Sequence, residues 1–100
     1  MAGPVWVNTY NLTEDQITSI DLAEEAMDML DLKKAEKILN KLKEEDPSCI
    51  PVLNILGHLH GRNFSDYEVA IGYYDQVLKL EPENAWARDE RRKFRRYITY

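Results

Sequence analysis

Apolar residues along this chain recur mostly at three- and four-residue spacing, the period of helices that bury one face. The clearest run is Ala70, Tyr73, Tyr74, Val77, Leu78 and Leu80, followed by Pro82. Proline has no N–H to donate and disfavours helix at the residue before it, so this helix is expected to stop at Glu81. Thr13-Glu14-Asp15-Gln16 reads as a capping box, in which Thr13 and Gln16 satisfy each other's backbone N–H. It opens a predicted helix over about 14–30, with Ile17, Ile20, Ala23 or Glu24, and Met27 on one face and Leu22, Ala26, Met29 and Leu30 beside it. Asp31 can cap the next helix. Its stripe is Leu32, Ala35, Leu39 and Leu42, with Lys33, Lys34, Lys37, Lys41 and Glu44 opposite, and Asp46-Pro47 ends it.

A third helix is expected from a Ser48 cap through Pro51, Val52, Leu53, Leu56 and Leu59 towards Gly61. Ser65-Asp66-Tyr67-Glu68 reads as a second capping box, opening the fourth helix. Asn84 caps a fifth, from Ala85 to about Tyr97. Residues 1–12 lack a helical period. Val5-Trp6-Val7-Asn8-Thr9-Tyr10 is β-branched and aromatic, so it is expected to lie extended and to dock, on the protein's own helices first and on a partner second.

The second and fourth helices repeat a pattern. Ala35 and Pro47 stand twelve residues apart, as do Ala70 and Pro82, and the two prolines are 35 apart. The stretch Ala70, Tyr74, Val77, Pro82 resembles the second helix of a tetratricopeptide (TPR) repeat, with its small residue, aromatic, second small residue and terminal proline. The preceding Leu53, Leu56 and Gly57 match that family's first helix, with His60 where the family usually has tyrosine. The earlier hairpin carries Leu22, Ala23, Ala35 and Pro47, but has Ser19 in place of a bulky residue and Lys43 in place of leucine. The proline spacing is one residue more than the family's usual 34 or so, and the extra residue is assigned to the turn Gly61-Arg62-Asn63-Phe64-Ser65. The fifth helix puts Arg88, Arg91, Arg92 and Arg95 where an internal repeat would pack, which reads as a solvating cap.

The resemblance implies an all-α, right-handed stack of antiparallel helix hairpins with about five helices. Residues 1–12 would be an extended segment, about 16–49 and 50–84 two repeats, and 85–97 a cap helix, within a helical domain over 13–100. It also implies a concave groove that binds an extended peptide. By position, the groove residues are Ile17, Ile20, Glu24 and Met27, then Asn54, His58 and Arg62, then Trp86, Asp89 and Lys93. One subgroup of the family grips chaperone-tail carboxylates with basic residues and asparagine. Ile20, Glu24, Trp86 and Glu90 stand at those places here, so that clamp is absent.

Composition adds limits. A length of 100 residues with 44% hydrophobic content suits one small domain. The apolar runs are too short to span a membrane, and no signal peptide is evident. The one cysteine, Cys49, cannot form an intramolecular disulfide, which fits a reduced, cytoplasmic setting. Charge is uneven: residues 85–100 carry +4 of a total of −5, leaving −9 on residues 1–84. An acidic body with a basic tail points to self-association as a homo-oligomer or to an anionic partner.

Catalytic chemistry is not in evidence. The chain lacks a Gly-rich phosphate loop, a Cys–His nucleophile spacing and a His–Glu zinc helix. His58 and His60 are two residues apart, about 200° around a helix, and cannot share a metal. Cys49 lies near a helix start, which would favour a lowered thiol pKa, but it has no partnering base. The expected role is therefore a non-enzymatic protein-protein adaptor without cofactor or metal. A self-assembly scaffold is the second reading. RNA or anionic-surface binding through Arg91, Arg92, Lys93, Phe94, Arg95 and Arg96 is a third, against which the acidic body stands.

Overall fold

A computed structural model describes residues 10–99 of the chain, so most of the expected extended segment lies outside the described residues. The described elements are all helical: α1 (Glu14–Asp28), α2 (Leu32–Glu45), α3 (Ile50–His58), α4 (Tyr67–Leu80) and α5 (Ala85–Thr99). No strand occurs among the described residues. Each helix packs chiefly on its neighbours in the chain.

Local chemistry sets the helix starts. In α1 the Gln16 N–H donates to the Thr13 hydroxyl at 3.1 Å, and the Thr13 N–H donates to the Gln16 side chain at 2.9 Å. Asp31 accepts the Lys34 N–H at the start of α2, and Asn84 accepts the Ala87 N–H at 2.9 Å at the start of α5. Two expected caps differ. Ser48 does not cap α3; Cys49 stands at that position without a side-chain bond, and Pro51 in the first turn removes one N–H that would need a partner. Ser65 does not open α4 either. Asp66 is the cap, accepting the Val69 N–H, because Ser65 has turned left-handed at φ 54°.

That left-handed residue has a counterpart. Leu30 has φ 61°, and it ends α1 at Asp28, short of the expected Leu30. Leu30 and Ser65 stand 35 residues apart, as do the first residues of α2 and α4 and their last residues. The turns differ in one bond. The Asp31 N–H donates to the carbonyl of Ala26, whereas the Asp66 N–H reaches back one residue further, to His60. The extra residue of the second hairpin is absorbed in a π-helical turn, Leu59–Asn63, that continues α3.

The core has two parts joined by α3. Ile20, Ala23, Leu39, Leu42, Cys49, Val52, Leu56 and Leu59 form one, and Leu12 packs against it. Leu53, Ala70, Tyr74, Val77, Ala87 and Phe94 form the other. Phe94 stacks on Tyr74 with ring centres 6.2 Å apart and planes 7° from parallel. Phe94 comes this close to the π-helical turn because Gly61 carries no side chain: a Cβ there would lie 2.4 Å from the Phe94 ring. The Tyr10 hydroxyl donates to Glu81 at 3.3 Å, tying the chain ahead of α1 to the end of α4.

Candidate functional site

A cleft of about 280 Å³ is lined by alternate helices: Glu24, Met27 and Asp28 from α1, Asn54, Ile55 and His58 from α3, and Trp86 from α5. Helical period places each group. Glu24 and Asp28 are four apart, as are Asn54 and His58, so each pair projects from one side of its helix. Trp86 stands two residues after the Asn84 cap, which fixes its position in the first turn of α5.

Five of the ten residues expected from sequence therefore lie together: Glu24, Met27, Asn54, His58 and Trp86. The other five do not line the cleft. Ile20 belongs to the core at 7% exposure, and Ile17 is half-buried on α1. Arg62 is exposed on the π-helical turn. Asp89 is exposed, 3.7 Å from Arg88. Lys93 turns inward to Glu90 at 3.1 Å, with its ammonium over the Phe94 ring. Asp28 and Ile55 line the cleft without having been expected. The signal for Asp28 was its four-residue spacing from Glu24.

The cleft runs from acidic to aromatic. At one end burial raises the Glu24 carboxyl above its usual range, and the charges of Asp21 and Asp28 push the same way. At the other end Trp86 is 50% exposed, with its ring centre 6.2 Å from that of His58. Met27 and Ile55 supply apolar surface between them.

Two polar atoms of this wall have no partner. Asn54 Oδ1 and His58 Nδ1 are buried and make no hydrogen bond. Such groups cost stability unless something satisfies them. Burial is the main cause that lowers the His58 pKa; Arg62 and Lys93 lower it further, and Glu90 opposes them. The imidazole is thus neutral at pH 7, with one nitrogen able to donate and one able to accept. Beneath it, Glu90 is buried and paired through one oxygen to Lys93, while its Oε2 has no partner.

Cys49 departs from expectation. The thiol is buried, and desolvation raises its pKa despite its place at the start of α3. Its thiolate is disfavoured at neutral pH, which removes the basis for a reactive nucleophile. Among the described residues no three His, Cys, Asp or Glu side chains could hold a metal ion together, and no helix is long and apolar enough to cross a membrane. No protein-family model matches the chain, and no curated protein matches it.

Proposed function

We propose that this chain is a non-enzymatic adaptor that holds an extended segment of a partner protein in the cleft between α1, α3 and α5. The reading takes the two hairpins and α5 as a TPR-like, right-handed stack whose alternate helices face the ligand. The turns at Leu30 and Ser65 and the register of α2 and α4 support it, as do the resemblances at Ala70, Tyr74, Val77 and Pro82. One observation carries the function: Asn54 Oδ1 and His58 Nδ1 are buried and unpaired beside the half-exposed Trp86. An extended peptide offers what they lack. When the half-buried Asn54 and His58 side chains turn towards the cleft, its backbone N–H groups satisfy them, and an apolar side chain covers Trp86, an anchor that loses little entropy on binding. Glu24 and Asp28 select a lysine or arginine in the segment. The single buried thiol fits work in the cytoplasm.

Selection from a library of extended peptides against the full chain tests the reading, followed by calorimetry of a selected peptide. The expected peptides pair a basic residue with an aromatic or aliphatic one. Asn54→Ala should weaken binding by about tenfold, the equivalent of one well-placed hydrogen bond. A library that yields no binder, or a binder indifferent to Asn54→Ala and Trp86→Ala, would overturn it.

A further inference from the structure

The two end helices carry opposite charge. Helix α1 contains Glu14, Asp15, Asp21, Glu24, Glu25 and Asp28 and no basic residue. Helix α5 contains five arginines and Lys93 against two acids. On α1, Asp21, Glu25 and Asp28 form an exposed stripe spaced four and three residues apart. On α5, Arg88, Arg92 and Arg95 form an exposed stripe with the same spacing. Beyond each stripe, at the same helix end, stand exposed apolar groups: Met29 and Leu30 after α1, and Tyr97 and Ile98 on α5. Arg92, Arg95 and Arg96 have no carboxylate partner among the described residues, and neither Asp21 nor Glu25 has a cationic one. Arg88 has only a long, exposed contact with Asp89 at 3.7 Å, whereas Arg91 is paired with Asp75 at 2.9 Å.

We propose that α5 of one copy docks in parallel on α1 of a second copy. Arg88, Arg92 and Arg95 then face Asp21, Glu25 and Asp28, with Tyr97 against Leu30. Arginine suits the contact because its planar fork binds a carboxylate through two hydrogen bonds, and its stem covers apolar surface. The surface groove along the α5 arginines, of about 450 Å³, gives the incoming carboxylates room. A nucleic acid would meet the same arginines, but it would also meet the −9 carried by residues 1–84. A second copy brings that acidic surface as its contribution. The contact is heterologous: each added copy leaves one α1 and one α5 open, so association continues beyond a dimer. Single exposed ion pairs are weak, so the contact depends on the whole row and on low salt. It shares only Asp28 with the cleft lining; Asp21, Glu25 and the arginines lie outside it, so variants at those positions test the contact separately from the cleft reading.

Sedimentation velocity of the full chain tests this, over a concentration series reaching about 500 µM in about 20 mM and about 500 mM salt. The sedimentation coefficient should climb with concentration at low salt, without a plateau at the dimer, and stay flat at high salt. The variants Arg92→Glu/Arg95→Glu and Asp21→Lys/Glu25→Lys should each associate at least about tenfold more weakly than the parent. Circular dichroism should show both folded, since all four positions are exposed. Mixing the two variants restores both pairings, acidic α5 on basic α1 and the parental pairing, and should restore association. A parent that stays monomeric at low salt would overturn the proposal, as would a mixture that fails to associate. So would a parent that binds a short RNA through these arginines while remaining monomeric without it.

Discussion

The Tyr74 ring lies where a side chain on Gly57 would stand: a Cβ there would be 2.6 Å from Tyr74 Cζ. This contact sets the approach of α4 to α3, and both residues are buried. Gly57→Ala should therefore overpack the seam and destabilise by about 1–3 kcal/mol, even though alanine favours helix. Tyr74→Ala leaves a cavity instead and should cost about 3–5 kcal/mol. Urea unfolding of both variants checks this; a Gly57→Ala protein as stable as the parent would show that the ring can shift aside.

Leu30 should respond in the opposite sense. A left-handed backbone costs a non-glycine residue roughly 1–2 kcal/mol, and Leu30 is 74% exposed, so little packing is lost with its side chain. Glycine gives back part of that gain through its freer unfolded chain. Leu30→Gly should thus stabilise by about 0.5–1 kcal/mol in dilute solution, read as a higher urea midpoint with unchanged slope.

The helices, the hairpin turns and the caps at Thr13, Asp31 and Asn84 were legible because each rests on residues adjacent in sequence. What failed depended on contacts further away. Leu22 and Leu56 look alike in sequence, yet Leu22 is 46% exposed and Leu56 is buried. Helix α3 has a described helix on each side of it in the chain, α2 and α4, whereas α1 has only α2 beside it. For the same reason period alone did not separate Ile20, which turns into the core, from Glu24 and Met27, which line the cleft. Lys93 shares the groove side of α5 by spacing, but the buried Glu90 draws its ammonium inward. The π-helical turn was visible only as one surplus residue between the prolines, and its place in the helix depended on Phe94 packing against Gly61.

His58 gives the fold a pH dependence of definite sign. Its folded pKa lies below the ordinary value of 6.5, through burial first and through Arg62 and Lys93, with Glu90 opposing. Between the two values the unfolded chain binds more protons than the folded one. The stability from keeping His58 neutral is therefore complete above about pH 6.5 and is lost as pH falls through the folded value. Thermal melts at about pH 7.5 and about pH 5 should show a larger drop for the parent than for His58→Gln. Equal drops would mean that His58 is solvated.

Asn54→Ala should leave stability unchanged or slightly raised, because the lost Oδ1 is a buried acceptor without a partner. Trp86→Ala removes a half-exposed ring and should cost less than Tyr74→Ala. Melting temperatures near the parent's for Asn54→Ala, together with weakened peptide binding, would assign that side chain to the ligand. A large stability loss would assign it to the fold.

The most direct measurement is a nitrogen-15 NMR titration of the labelled full chain with a selected peptide. The adaptor reading expects shift changes concentrated on Glu24, Met27, Asn54, Ile55, His58 and the Trp86 indole N–H, in the cleft between α1, α3 and α5. Changes confined to the exposed side of α2 or to the arginines of α5, with the cleft signals unmoved, would contradict it.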